Sequence, residues 1–406
     1  MERLPLAGLR VADFSWMGAG SYATKMLADF GAEVIKIESM ANLDNLRMSR
    51  PFKDKIPGVN RSGYFADRNT SKRSMTINMK HEKGKLIARQ LIAQSDIVCN
   101  NFTPGVMERF GLGYEEVAAF KANIVYISMS MQGNSGPHRD YLGYGMTMGA
   151  LTGLQHLTGA PDREPAGTGT NYPDHIPNPC HAVVAIMASL IHRDSTGEGQ
   201  YIDLAQTEPT LALLGPVILD YTVNGRVQQR RANRHDYMSP HGIYPCHGDD
   251  RWIAIAVETD AQWRALASVL GMPLWMTEAT WSSAEQRLAK QSELDDRLAT
   301  ETCGWDNDEL MLALQVHGVA AGSVRDVADI LEKDAQLAHR GHWLRLDHPE
   351  MGRTIYNAQP MRMSDLAVTP TRPAPMLGAD TEDICVSLLG MNPKEVAALQ
   401  EEGALR

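Results

Sequence analysis

The sequence predicts an α/β protein: a large Rossmann-like, doubly wound domain built from both chain ends, plus a smaller α+β domain from the middle. Three observations lead there. Short β-branched runs alternate with helical segments over the first 205 residues, which argues a mostly parallel sheet covered by helices on both faces. The rhythm changes near residue 206. A chain of 406 residues is also too long for one compact core.

The elements follow in order. LRVADF (9–14) reads as a strand, GSYATKMLADFG (20–31) as a helix and EVIKIE (33–38) as a strand. KRSMTINM (72–79) is a strand, KGKLIARQLIAQS (83–95) a helix and DIVCN (96–100) a strand. Gly111-Leu112-Gly113 precedes another helix, and NIVYISMS (123–130) makes a further strand. Ligands of such sheets gather at the carboxyl ends of the strands. EPTLALLGPVILDYTVNG (208–225) reads as one long helix stopped by Asn224-Gly225, and the basic stretch 226–242 as a linker. HGIYPCHGDDRWIAIAV (241–257) reads as two strands around a Gly-Asp-Asp turn, with helical segments onward to about 329. The tail carries a Pro-rich break (369–378) and an amphipathic helix (393–403), and returns to the first domain. The expected division is therefore 1–205 with 330–406, a helix and linker at 206–240, and a small domain at 241–329.

Composition narrows the function. A hydrophobic share of 43% with mixed charges describes a folded globular protein. Lys+Arg 39 against Asp+Glu 49 leaves a formal charge of −10 with no long basic run, which argues against nucleic acid as the main partner. A local basic pocket for an anionic ligand remains compatible with that balance. The five cysteines are scattered without CxxC or His partners at metal-ligand spacing, so buried thiols in a reducing compartment are expected, with no metal. The N-terminal sequence lacks the order of a signal peptide, and no apolar run reaches the ~20 residues of a membrane span. A cytoplasmic protein without membrane partners is the expectation.

Two stretches compete to carry the chemistry. GAGSYA (18–23) matches G-x-G-x-x-A, and Glu38 closes the next strand, as in a dinucleotide site. Ser15-Trp16-Met17 intervene between strand and glycines, however, where a dinucleotide turn is immediate. Glycines shaping a tight turn against some other ligand fit better. The second stretch is NYPDHIPNPCHA (171–182), where Asp174 is fenced by Pro173, Pro177 and Pro179. Asp174 either caps the helix that starts near Pro177 or acts as a reagent.

Several blocks together resemble family III CoA-transferases, the CaiB/BaiF group that includes formyl-CoA and carnitine CoA-transferases. They are residues 4–38, 71–85, 100–117, 124–145, RDSTGEGQYIDLAQTE (193–208) and PMLGADTEDI (375–384), in order over nearly the whole chain. The resemblance implies a large domain made from both chain ends and an interlocked dimer, with a hetero-oligomer of related subunits as the other arrangement. It implies coenzyme A and acyl-CoA as substrates rather than a permanently bound cofactor, and aligns Asp174 with the family's catalytic aspartate. It further places Met17, Gly18 and Ala19 beside CoA, and Lys80, Asn101, Phe102 and Arg109 at the nucleotide end. Ile77 falls beside adenine and Tyr144 beside the thioester. Lys72-Arg73 is either a phosphate binder or a solvated strand edge. Ser39 stands where many relatives carry an arginine that meets CoA. Leu142 stands where oxalate-specific relatives have lysine, which argues against formyl-CoA:oxalate exchange.

The chemistry suits a carboxylate nucleophile, which can open a thioester to a mixed anhydride and then carry CoA itself. Backbone amides at Gly18-Ala19-Gly20 are candidate oxyanion donors. The expected activity is transfer of CoA from a donor acyl-CoA, with succinyl-CoA as the candidate donor, to an organic acid. Two alternatives stay open: an α-methylacyl-CoA racemase of the same superfamily, and an NAD-dependent oxidoreductase. The racemase would need a base where Gly143-Tyr144-Gly145 stands, or His175 in its place, and a tyrosine of ordinary pKa ~10 is a poor base at neutral pH. Trp16, Met131, Met146 and Met148 hint at an apolar, adaptable pocket.

Overall fold

The computed structural model describes residues 4–406. They form two compact units. One holds the residues up to Gln155 with Gly167–Val227 and Gln336–Arg406; the other holds His156–Ala166 and Gln228–Ala335.

The first unit is organised on six parallel strands: β1 (Arg10–Asp13), β2 (Glu33–Glu38), β3 (Arg73–Thr76), β4 (Ile97–Asn100), β5 (Val125–Ser128) and β6 (Gln200–Asp203). Their order is β3-β2-β1-β4-β5-β6. The chain winds outward from β1 to β3, then crosses to β4 and winds the other way. The reversal opens a crevice beyond the carboxyl ends of β1 and β4, where neighbouring loops diverge. Period-two alternation feeds a core on each face. Ala12, Ile35 and Val98 join one core with the helix Glu82–Ala93 and the C-terminal helix Pro393–Glu401. Val11, Val34 and Cys99 join the other with helices Met17–Asp29 and Pro177–Thr196. Burial on both faces is why these strands read as nearly continuous apolar runs.

β6 is the strand for which the sequence analysis has no expectation. It is an edge strand whose residues are exposed or only half-buried, so Gln-Tyr-Ile-Asp carries little hydrophobic signal. The other edge is closed by the tail: Ser74 N donates to Asp380 Oδ2 (2.8 Å), Thr76 N to Thr381 Oγ1 (2.9 Å) and Thr76 Oγ1 to the Leu405 carbonyl (2.9 Å). These bonds protect β3 from pairing with a foreign strand. An antiparallel hairpin, Trp343–His348 with Gly352–Asn357, was likewise not expected.

The single helix expected over 208–225 is two, Glu208–Ala212 and Gly215–Asn224. Pro216 supplies no amide to the Ala212 carbonyl and its ring crowds that position, so the helix breaks just before it. In the second unit, strands His241–Pro245 and Trp252–Ala256 pair antiparallel, as their sequence suggests. A third strand, Ala320–Val324, pairs with Trp252–Ala256 inside a region read as helical. Its Ala-Ala-Gly-Ser-Val composition lacks a strand's usual bulk, and pairing rather than propensity decides it.

Candidate active site

The loop between β1 and the helix Met17–Asp29 is fixed from three sides. Asn101, just beyond β4, accepts from Trp16 N through Oδ1 (2.7 Å) and donates through Nδ2 to the Trp16 carbonyl (2.6 Å). The Trp16 indole meets Phe102 edge-on at 5.2 Å. Met17 takes a left-handed φ of 61° and donates its N–H to Asp44 Oδ1 at 2.9 Å. A side chain at such a φ carries strain that surrounding contacts must hold. Beneath the loop lies a buried ionic network. Lys36 pairs with Asp44 (2.9 Å) and donates to the Ser15 carbonyl (2.7 Å), while Lys72 pairs with Asp13 (3.0 Å). Burial works to raise Asp13, but Lys72 and Lys36 overcome it and hold its carboxyl below the usual range. Burial pulls Lys72 down to about 8 against the attraction of Asp13.

Asp174 lies in the short helical turn Tyr172–His175. It is not the cap of the following helix, whose N-cap residue is Ile176 and which has no side-chain cap bond. Its Oδ2 instead accepts from the amide of Gly145 at 3.0 Å. Burial pushes its carboxyl up to about 6, with the Gly145 amide pulling the other way. The packing needs glycine on both sides. A Cβ on Gly18 would lie 2.9 Å from Asp174 Cβ, and one on Gly145 would lie 2.8 Å from Asp174 Oδ2. His175 turns away from this carboxylate: its Nε2 meets Tyr64 Oη at 3.0 Å. Burial, then the Arg68 charge, pushes its pKa down to about 4, so it is neutral at pH 7.

Two cavities meet at Trp16, Phe102 and Val106. The larger, about 550 Å³, contains Asp174, Met17, Gly18, Ala19, Tyr144 and Gln206 and no Lys, Arg or His. The smaller, about 230 Å³, is mostly apolar, with Phe14, Ile37, Ile77 and Phe110 on its walls and Lys80 at its rim. They sit at the carboxyl ends of β1 and β4, where the sheet reverses. Gly18 and Ala19 belong to the first turn of their helix, whose amides have no intrahelical carbonyl to bond and whose dipole favours negative charge.

The profile of CoA-transferase family III matches residues 6–381. The chain belongs to CoA-transferase family III. Its enzyme class is CoA-transferase. It is 32% identical over 388 residues to the succinate–glutarate CoA-transferase of Agrobacterium fabrum, covering 95% of this chain and 96% of that protein. It is 33% identical over 406 residues to a probable CoA-transferase of Mycobacterium tuberculosis, covering 98% of this chain but half (50%) of that longer protein. Among solved structures, a CaiB/BaiF family protein from Brucella suis superposes with a TM-score of 0.87 at 31% identity, covering 95% of this chain and all (100%) of that one.

The residues singled out from sequence distribute unevenly about these two cavities. Asp174, Met17, Gly18, Ala19, Asn101, Phe102 and Tyr144 all line the larger cavity, and Ile77, Lys80 and Phe102 line the smaller. The side chain of Asn101 is spent on the Trp16 backbone. Arg109 is exposed on the short helix Val106–Arg109 and lines neither cavity. Both readings of Lys72-Arg73 need correcting. Lys72 is buried in the Asp13 network, and Arg73 pairs with Glu33 (2.7 Å) and Asp380 (3.5 Å) across β2 and the tail. Met131 lines the larger cavity, whereas Met148 is core and Met146 lies on the surface. Glu38, the acid of the dinucleotide alternative, has both oxygens occupied by Arg47 at 2.8 and 2.9 Å and is not available to a ribose. The parts played by the Gly145 amide, Asp44 and Gln206 were not legible in the sequence. Gly145 stood inside a quoted motif, but nothing in sequence could show that its N–H faces Asp174.

Proposed function

We propose that this CoA-transferase moves CoA from a donor acyl-CoA, with succinyl-CoA as the candidate donor, to an organic acid through covalent intermediates on Asp174. The buried carboxylate of Asp174 in the larger cavity, flanked by two glycines, carries this reading. With a pKa of about 6 it is roughly 90% ionised at pH 7, and little water competes for its lone pairs.

An Asp174 oxygen attacks the thioester carbonyl, the C–S bond breaks, and a mixed anhydride and CoA thiolate result. The thiolate attacks the aspartyl carbonyl, which frees the donor acid and leaves an aspartyl-CoA thioester. The acceptor carboxylate attacks that thioester, regenerating thiolate and a second anhydride. Thiolate attack on the acceptor carbonyl releases the new acyl-CoA and restores Asp174. No proton and no electron is gained or lost. The amides of Gly18 and Ala19, in the first turn of their helix, would stabilise the oxyanions. The larger cavity suits the pantetheine arm and Tyr144 the thioester end; the smaller suits adenine against Ile77, with Lys80 at the phosphates. Arg109 would reach CoA only from outside the two cavities.

Incubation with succinyl-CoA should give a CoA-sized, hydroxylamine-labile adduct on the intact protein, absent from Asp174→Asn. Unimpaired turnover by that variant overturns the proposal. Deuterium wash-in at the α-carbon without CoA exchange would instead mark a racemase. Saturable quenching of NADH fluorescence would favour the oxidoreductase.

The working assembly is proposed to be an interlocked homodimer, or the equivalent pair with a related subunit. The helix Gly215–Asn224 buries none of its residues and exposes Leu219, Tyr221 and Val223, an apolar surface of the kind a partner covers. A monomeric mass by light scattering at micromolar concentration would refute this. Among the described residues no helix is long and apolar enough to cross a membrane. A cytoplasmic location is proposed from that and from five free cysteines.

A further inference from the structure

Asp44 lines neither cavity of the site and is fully buried, one residue before the short 3-10 helix Asn45–Met48. Both of its carboxylate oxygens are occupied. Oδ1 accepts from the amides of Met17 (2.9 Å) and Leu46 (3.0 Å), and Oδ2 pairs with Lys36 (2.9 Å), itself fully buried. The Asp44 amide donates to Glu38 Oε1 (3.1 Å), and Arg47 clamps Glu38 through two further bonds. Capping Leu46 needs only a hydroxyl or a neutral amide oxygen. A buried carboxylate with its own lysine is a costlier arrangement than that task requires. The bond to Met17 is what the cap leaves unexplained.

Met17 is where the chain turns from the loop after β1 into its helix, and it does so at the strained φ of 61°. The two residues before it are tied elsewhere: Lys36 holds the Ser15 carbonyl, and Asn101 holds both backbone groups of Trp16. Asp44 takes the Met17 amide. The chemistry begins at the next residue. The Gly18 backbone packs so closely on the nucleophile that a Cβ there would lie 2.9 Å from Asp174 Cβ and 3.3 Å from His175 Cε1. Gly18 and Ala19 also carry first-turn amides of the helix. A rotation at Met17 therefore moves those amides and the surface on which Asp174 rests together. Lys36 adds a second effect. A bare carboxylate at this helix end would oppose an oxyanion at the following amides, and the ammonium on Oδ2 offsets its charge.

Resting on the Asp174 mechanism above, we propose that Asp44 is a positioning residue for thioester opening. It holds Met17 in the left-handed turn and so sets Gly18 and Ala19 against Asp174, without touching CoA. Its effect falls on the rate of the covalent step and not on the affinity for CoA.

The test separates those two quantities in the full chain. The maximal rate of CoA-adduct formation is read by quenched intact mass at saturating succinyl-CoA, and the dissociation constant of free CoA by titration calorimetry. Asp44→Ala should lower the maximal rate at least tenfold and leave the dissociation constant within threefold. Asp44→Asn should recover most of the rate, because its Oδ1 still accepts from Met17 N. Both variants lose the Lys36 ion pair, so a merely structural role slows them alike. Where Asp44→Ala does not fold, the turn is tested from its other side. Glycine takes a φ of 61° freely and valine resists it, so Met17→Val should react at least tenfold more slowly than Met17→Gly. Equal rates in the two Asp44 variants, equal rates in the two Met17 variants, or a loss confined to CoA affinity overturns the positioning role and leaves the Asp174 mechanism standing. Absence of adduct from the wild type overturns both.

Discussion

Replacing Asp174 by asparagine should stabilise the protein while abolishing its chemistry, and the two effects share one cause. The carboxyl is buried and its pKa rises from 3.8 to about 6. A raised carboxylate pKa means the folded state holds its proton more tightly than the unfolded chain does. Ionisation therefore costs folding free energy: nothing well below pH 3.8, where both states are protonated, and the full amount well above pH 6, where both are ionised. Two pKa units at about 1.4 kcal/mol each make that cost roughly 3 kcal/mol. Asparagine is neutral and nearly isosteric, and its Oδ1 can still accept from Gly145 N, so the variant escapes the cost. Its advantage should grow from about zero at pH 3 to about 3 kcal/mol at pH 7.5, or some 3–5 °C in Tm for a chain of this size. Thermal unfolding of the CoA-free protein across that pH range measures it. An advantage that does not change with pH, or a variant less stable at pH 7.5, would refute the burial argument. This would be stability given up for reactivity at a functional site.

The rate of adduct formation should fall about tenfold for each unit below about pH 6 and level off above it, because only the ionised Asp174 attacks. His175, at about 4, titrates below that window, and a profile flat from pH 5 to 7 would count against Asp174 as the group seen. Gly145→Ala should slow adduct formation by about tenfold or more and move the inflection above pH 6, since its Cβ displaces the one amide that favours the ionised form. Initial rates against pH decide this, and wild-type rates with an unmoved inflection would contradict it. Arg47 is fully buried, bidentate to Glu38 and 3.7 Å from the Phe65 ring centre. Arg47→Met strands that carboxylate and should cost about 3–5 kcal/mol, read as a lowered unfolding midpoint; an unchanged midpoint would show that Glu38 finds another partner.

The strand-and-helix rhythm of the first unit was legible in the sequence alone. Strands buried on both faces must be apolar throughout, and the helices between them must carry a 3.6-residue stripe, so both leave periodic marks that need no partner to be read. The proline fence around Asp174 and the glycines at 18 and 145 were legible for the same local reason. Where pairing or coverage decides, the marks fade. β6 and the strand Ala320–Val324 are strands because a neighbour offers hydrogen bonds, and the helix over 208–225 broke at a single proline inside an apolar run. The role of each charge was the least legible. Lys72 and Arg73 look like surface cations until the fold buries one against Asp13 and braces the other between Glu33 and Asp380. Asn101, expected at the nucleotide, spends its amide on the Trp16 backbone. That the Asp174 carboxylate is raised toward neutrality, faces the Gly145 amide and lines a cavity without cations is a property of through-space distance. Only the tertiary structure sets such distances, since Gly18, Tyr64, Gly145 and Asp174 lie far apart along the chain and meet where the sheet reverses.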